Sequence, residues 1–392
     1  MKPNSIVAVA SDAGGARALL PVLEHAATHG HEVTALFSGH SAGFLDSLPA
    51  EIETKVITDS LSSEHCQHIL AKPETDLLFS ACGLYNSIEH TMRTAARKEN
   101  IPILGMLDSW HNYSERFTRE GSHTVWPDWI CAIDETSQAG MVKAGFPAEQ
   151  ITVTGHPDLE KTNRQLVSNR EQWRRSIRRE IGHPDDEVLY IFLTDPFYFG
   201  TKKDHYTGPG AIMKQDGSPL YGYTTEDILP EVTMALSTAL KQSGQHAQLV
   251  IRPHPSEWQQ PLHDYVETFH HPNLTLKVDV SHSTPEWLAA ADGVFGMMTI
   301  ALLHSAFLQQ PTLSVQIGLN ASGEADPCVA SQLGYVPLIT DTQELRQACD
   351  QLIKTPQELL PGTMGHSIPL EGSTEHVYQI IKQLIKSSPH AV

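Results

Sequence analysis

The sequence predicts an α/β chain of two tandem domains, each built on a doubly wound parallel sheet. Three observations carry that prediction. At 392 residues the chain exceeds one typical core and is comfortable as two. Short β-branched apolar runs alternate with helical patterns of roughly ten to fifteen residues, the signature of βαβ units. The alternation also breaks once, near the middle, and then resumes.

Strands are predicted at 6–10, 32–37, 76–79, 103–107, 130–133 and 151–154, with a helix over 16–29 and a broken stretch between the second and third strands. Their nearly continuous apolar character fits strands covered on both faces. The pattern stops in a charged stretch that ends in Gly-His-Pro-Asp-Asp at 182–186, so 161–186 is predicted as a linker. Beyond it, strands are expected at 188–193, 249–251, 274–278, 293–296 and 312–316, and helices at 228–240, 285–291, 299–309 and, finally, 373–387. The domains are therefore set at 1–160 and 187–370, with 371–392 left over. Residues 196–226, with four tyrosines and five glycines but little periodicity, form a loop too long to be a plain connection and are predicted to be functional.

Composition excludes several classes. Twenty-seven Lys and Arg against 46 Asp and Glu give a net charge of −19, which repels nucleic-acid backbones and anionic membranes, and no basic patch reverses it. The densest basic run, 170–179, is interleaved with Glu171, Trp173 and Ile177 like a solvated helix face. Five cysteines at 66, 82, 131, 328 and 349 form no CxxC pair, and a reducing, cytoplasmic setting is expected. Apolar runs are too short for a signal core or a membrane span, leaving only peripheral membrane contact open. Twenty-two histidines show no metal-ligand spacing, and no nucleophile elbow, Walker loop or dinucleotide fingerprint is present. A homodimer is compatible with the sequence.

In open parallel sheets, ligands sit beyond the carboxyl ends of strands, so the residues there become candidates. After the first strand stands Ser11-Asp12-Ala13-Gly14-Gly15, where Asp12 either caps a helix or serves as a general base. After the run ending at 107 comes Asp108-Ser109-Trp110-His111-Asn112, dense in groups for binding an acceptor, with Glu115 and Arg116 close behind. Gly296-Met297-Met298-Thr299 joins a strand to an apolar helix, so the amides of Met298, Thr299 and Ile300 are expected to cradle a phosphate, unless Thr299 is an ordinary cap. Arg252 and His254 leave another strand end, and the flanking Pro253 and Pro255 would hold the imidazole still to donate to a diphosphate oxygen.

Two phrases then resemble known proteins. Arg-Pro-His-Pro at 252–255, followed by G-x-x-T-x-x-L-L-x-x-x-x-L-x-x-P-x-L-S-x-Q at 296–316, is similar to the C-terminal domains of GT-B-type nucleotide-sugar glycosyltransferases and their relatives. These relatives include UDP-N-acetylglucosamine 2-epimerases and the CDP-glycerol and sialic-acid transferases that carry a His-Pro motif. GFPAEQITVTGHPD at 145–158 resembles the phrase that closes the N-terminal domain of that superfamily. The resemblance implies two Rossmann-like domains facing a cleft, with 371–392 packing back on the first. It implies a nucleotide-sugar donor held by Arg252, His254, Gly296, Met298, Thr299 and Ile300. A carbohydrate or small-molecule acceptor would lie by Ser11, Gly14, Gly15, Trp110 and His111, and Asp12, Asp108 and His254 would be catalytic. No metal and no cofactor beyond the co-substrate is implied.

The expected activity is sugar transfer, in surface polysaccharide or glycoconjugate synthesis. The alternatives are 2-epimerisation, polyol-phosphate transfer, or nucleotide-sugar binding without turnover. Gly-Met-Met-Thr and His304 stand where the epimerase pattern has Ser-Gly-Gly and a glutamate, which argues against epimerisation.

Overall fold

The apolar runs become strands in a computed structural model that describes residues 3–58, 60–71, 74–83, 88–118, 124–184, 187–195, 214, 218–254, 257–361 and 368–386. Contacts divide the chain into two units, Met1–Lys161 with His366–Val392, and Thr162–Gly365.

The first unit holds β1 (Ser5–Ala10), β2 (Glu32–Phe37), β3 (Glu53–Val56), β4 (Leu77–Ala81), β5 (Ile103–Met106), β6 (Trp129–Ala132) and β7 (Ile151–Val153). All pair in parallel, in the order β3-β2-β1-β4-β5-β6-β7. β1 is buried along its whole length because its alternate side chains feed two cores. Ile6, Ala8 and Ala10 meet Leu19 and Leu23 of helix Ala13–Thr28, while Val7 and Val9 join Ile88, Met92 and Ala95 of helix Ile88–Lys98. Helix Ser373–Lys386 adds Val377, Ile381 and Ile385 to the first of these cores. Its start is held by Glu160, which accepts from the Gly372 and Thr374 amides at 2.9 Å each and from the Thr374 hydroxyl at 3.0 Å.

The second unit holds β8 (Val188–Leu193), β9 (Ala247–Arg252), β10 (Leu274–Val278), β11 (Gly293–Gly296), β12 (Thr312–Val315) and β13 (Leu338–Ile339). They form a parallel sheet in the order β10-β9-β8-β11-β12-β13. The strand order of each sheet thus reverses once, at β1/β4 and at β8/β11.

Some elements differ from the expectation. The stretch expected as a linker is one helix, Pro157–Glu180. Its arginines are not a solvated face throughout: Arg174 Nη2 reaches Asp292 Oδ1 at 2.6 Å and Arg178 takes the other oxygen, which also accepts from the Leu189 amide at 2.8 Å. A polar helix can pack through such ion pairs, a contact that periodicity does not reveal. β3, β13 and helix Thr342–Lys354 were not anticipated. The last buries Leu345, Ala348, Cys349 and Leu352 at helical spacing and is capped by Asp341. The expected helix at 299–309 is shorter, Ala301–Phe307. Most of the Tyr/Gly-rich segment, residues 196–213 and 215–217, lies outside the described residues. Among the described residues no helix is long and apolar enough to cross a membrane.

Candidate active site

In the first unit, the turn after β1 is a nested set of close contacts. Asp12 caps helix Ala13–Thr28, its Oδ1 accepting from the Gly15 amide at 2.6 Å. The Ser11 amide and hydroxyl both donate to Glu89 Oε1, at 2.8 and 2.9 Å. A Cβ on Gly14 would stand 2.6 Å from Asp108 Oδ2, and one on Gly15 would stand 2.8 Å from the Ala81 Cβ. These two glycines therefore provide space, letting the loops after β4 and β5 close onto the first turn.

Asp108 is paired with Arg116, Nη1 to Oδ1 at 2.7 Å, and the two side chains are only 9% and 5% exposed. Arg116 also donates to the Cys82 carbonyl at 2.6 Å and to the His111 carbonyl at 2.8 Å. Among the described residues Asp12 has no such direct ion-pair partner. Burial, and then the neighbouring Asp108 charge, push its carboxyl up to about 7, against the opposing pull of the Gly15 amide. Two adjacent carboxyl groups are thus differentiated, one neutralised by a guanidinium and one poised near neutrality.

Trp110 is placed differently from the expectation of an acceptor contact. Its ring is 6% exposed and its indole Nε1 donates to Asp134 Oδ2 at 2.7 Å. Asp134 in turn caps helix Glu135–Lys143 through the Ser137 amide. A buried indole N–H needs an acceptor, and this one is satisfied within the fold. His111 lies beside it, half-buried, with its carbonyl on Arg116.

In the second unit, the candidates gather at the ends of β8, β9 and β11. The Arg252 guanidinium donates to the Asp279 carbonyl at 3.3 Å, and burial lowers its pKa. His254 is held by its backbone, the amide donating to Thr194 Oγ1 at 2.8 Å, and burial pushes its imidazole below the usual range, towards the neutral form. Thr194 in turn donates to the Glu257 carboxyl, which burial raises to about 8. Pro255 lies outside the described residues. Gly296 is buried against Leu302, whose Cδ2 would stand 3.0 Å from an added Cβ.

The expected amide cradle is turned inward. The Met298 amide donates to Asp195 Oδ2 at 2.8 Å, and the neighbouring Met297 and Thr299 amides also favour the charged carboxylate. Burial still raises Asp195 to about 7. The reason is one of supply: a carboxyl interred at the end of β8 takes the nearest donors, which are those of the facing turn. Ile300, half outside the helix, is its cap residue without a side-chain bond, and Thr299 Oγ1 accepts from the Ala301 amide at 3.4 Å. From behind, Ser314 Oγ donates to the Met297 carbonyl at 2.6 Å, and Gln316 bridges that carbonyl to the Tyr223 hydroxyl.

Glu89 and Glu257 were missed as site residues, and Asp195 was noted at its strand end without a role. Asp195 alone carried a sequence signal, standing at a strand end; Glu89 and Glu257 act through partners 78 and 63 residues away. Among the described residues no group of three or more His, Cys, Asp or Glu is arranged to hold a metal ion.

No family model matches the chain, and no curated protein matches it by sequence. Solved structures do. The UDP-GlcNAc 2-epimerase of Methanocaldococcus jannaschii superposes with a TM-score of 0.64 at 12% identity, over 97% of this chain and 99% of that one. The Neisseria meningitidis UDP-GlcNAc 2-epimerase bound to UDP-GlcNAc gives 0.63 at 13%, over 98% and 100%. MurG of Acinetobacter baumannii gives 0.56 at 14%, over 97% and 100%. At such identities the likeness concerns architecture, and the architecture is that of these proteins: two Rossmann-like parallel-sheet units in tandem, the GT-B fold.

Proposed function

We propose that the chain is a glycosyltransferase that takes a nucleotide-activated sugar on its second unit and transfers the sugar to an acceptor hydroxyl or amine held by the first. One observation carries this reading. In each sheet the unusual polar groups collect at the strand-order reversal, Asp12, Glu89 and Asp108 around β1/β4 and Asp195 and His254 around β8/β11, where open α/β sheets bind ligands. The fold neighbour that holds UDP-GlcNAc supports a nucleotide-sugar donor.

In the reaction, the acceptor oxygen or nitrogen bonds to the anomeric carbon as the bond from that carbon to the diphosphate oxygen breaks. Asp12, poised near neutrality, takes the acceptor proton. Asp108, fixed by Arg116, orients the acceptor. His254 and Arg252 donate to the departing diphosphate, with Thr299 and Ile300 at the edge of the same loop cluster. No metal is required by these steps, because the donors are protein N–H groups.

A second reading keeps the donor and changes the chemistry to 2-epimerisation. It is favoured by the three carboxyl groups of the first unit, which suit proton transfer on a sugar, and by the 2-epimerases among the fold neighbours.

The deciding experiment is a thermal-shift panel of UDP, CMP, CDP, GDP, ADP and TDP on the parent chain and on His254→Ala, followed by product analysis with the winning nucleotide sugar. One nucleotide raises the melting temperature of the parent and not of the variant. Nucleotide release that depends on an acceptor supports transfer; an isomerised nucleotide sugar formed without acceptor supports epimerisation. Binding without product in a broad acceptor screen assigns a non-catalytic role, and no shift with any nucleotide overturns the proposal.

A further inference from the structure

Asp195 is a buried acid with an unusual neighbourhood. It follows β8 directly, and its Oδ2 accepts the Met298 amide at 2.8 Å across a sequence separation of 103 residues. The Met297 and Thr299 amides lie close enough to pull this carboxyl down against its burial, so the turn after β11 bends around a buried acid. Its preceding residue, Thr194, holds the His254 amide at 2.8 Å. Two consecutive residues at the end of one central strand therefore fix both loops to which the diphosphate has been assigned.

We propose that Asp195 is a proton-linked positioning residue: its carboxyl shapes the 297–299 turn from within, and the turn accepts an anionic ligand on its outer side when that carboxyl carries a proton. This inference rests on the nucleotide-donor reading of the second unit. Its physical basis is repulsion through a single layer of backbone. An ionised Asp195 uses the amide dipoles of the turn for itself and presents its own negative charge to a diphosphate beyond them. A protonated carboxyl still offers an oxygen to Met298 but carries no charge.

Among the described residues, the groups that face Asp195 do not compensate it. Glu257, from the segment after β9, and the Tyr223 phenol, before helix Thr225–Ser243, both interact with it, and both are acidic. The Thr225 hydroxyl reaches the Asp195 carbonyl at 3.4 Å and is neutral. Arg252 directs its guanidinium to the Asp279 carbonyl, and buried His254 favours its neutral form. Consistent with this setting, burial raises the Asp195 carboxyl to about 7, so the proton is exchanged near physiological pH.

Linkage then sets the sign. If the free protein is ionised at Asp195 and the complex is protonated, binding takes up a proton and affinity falls as pH rises. The test is calorimetric titration of UDP, and separately of inorganic diphosphate, into the parent chain, Asp195→Asn and Asp195→Ala between pH 7.0 and 8.5. Circular dichroism at each pH confirms the folded state. The parent is expected to lose affinity towards tenfold per pH unit above about 7. Asp195→Asn, which keeps an acceptor oxygen for the turn, should bind with a much flatter profile and exceed the parent at pH 8.5. Asp195→Ala should bind weakly at every pH, because the turn has lost its internal acceptor.

The same slope in parent and Asn variant overturns the proposal and leaves the nucleotide site standing. So does an Asn variant as weak as the Ala variant. If neither UDP nor inorganic diphosphate binds the parent at any pH, the donor reading fails and this inference fails with it.

Discussion

Gly30 and Gly155 provide a matched pair for measuring what docks the helix Ser373–Lys386. Both are in the first unit and both hold a left-handed backbone, with φ of +82° and +81°. A side chain at either position incurs the same conformational cost, about 1–2 kcal/mol. Their surroundings differ. An added Cβ on Gly30 meets nothing within 4 Å, whereas one on Gly155 would overlap the Ser373 hydroxyl and stand 2.6 Å from the Pro369 carbonyl oxygen. That backbone oxygen cannot rotate away, so the segment leading into the helix must shift, at about 1–3 kcal/mol for overpacking. Gly30→Ala is thus expected to cost about 1–2 kcal/mol and Gly155→Ala about 2–5 kcal/mol. Urea unfolding followed by far-ultraviolet circular dichroism reads both. Ser373→Gly combined with Gly155→Ala should recover part of the difference, by removing the hydroxyl and leaving the carbonyl. Equal losses at the two glycines, within about 0.5 kcal/mol, would refute the steric account.

Two further outcomes follow from the site. Trp110→Phe withdraws the indole donor from the buried Asp134 carboxylate and should lower stability by about 1–3 kcal/mol in urea, with the KM for the acceptor unchanged; a variant with a raised acceptor KM at constant stability would return Trp110 to the ligand site. Asp12 holds its proton up to about 7 in the folded chain against 3.8 as an unperturbed group, so the folded state binds more protons between those values and its stability falls as pH rises through them. Asp12→Asn keeps a capping oxygen and lacks the titration, so its melting temperature should gain on the parent from pH 5 to 8. A constant difference over that range would mean that Asp12 ionises normally.

The strand ends were legible in the sequence because two of the determinants are local. A β-branched run such as 6–10 states its own burial, and a turn such as Ser11-Asp12-Ala13-Gly14-Gly15 states its own tightness. What such runs cannot state is which remote group completes them. The amides after β11 were read as facing a ligand because nothing nearby in sequence competes for them; the partner of the Met298 amide, Asp195, precedes it by 103 residues. Arg174 and Arg178 likewise looked solvated until Asp292 came within reach. Glu89 was hidden twice, on a helix not delimited between the strands at 76–79 and 103–107 and opposite Ser11 only in space. Periodicity reports a residue's environment as apolar or polar, and it is silent on the identity of the polar partner.

The first unit is discontinuous in the chain, and this fixes an order of events during synthesis. Its sheet strands are all present by residue 153, yet the apolar stripe of helix Ala13–Thr28 is completed by Val377, Ile381 and Ile385, which emerge only after the whole second unit. At the usual elongation rate of about 5–20 residues per second, that interval lasts roughly 11–45 s. For that time a nascent chain carries an uncovered hydrophobic groove while its neighbour, continuous in sequence, is free to fold. The same order makes the groove a natural client site for a chaperone that binds apolar helical surface, and makes a fragment ending before Ser373 the form most prone to aggregate.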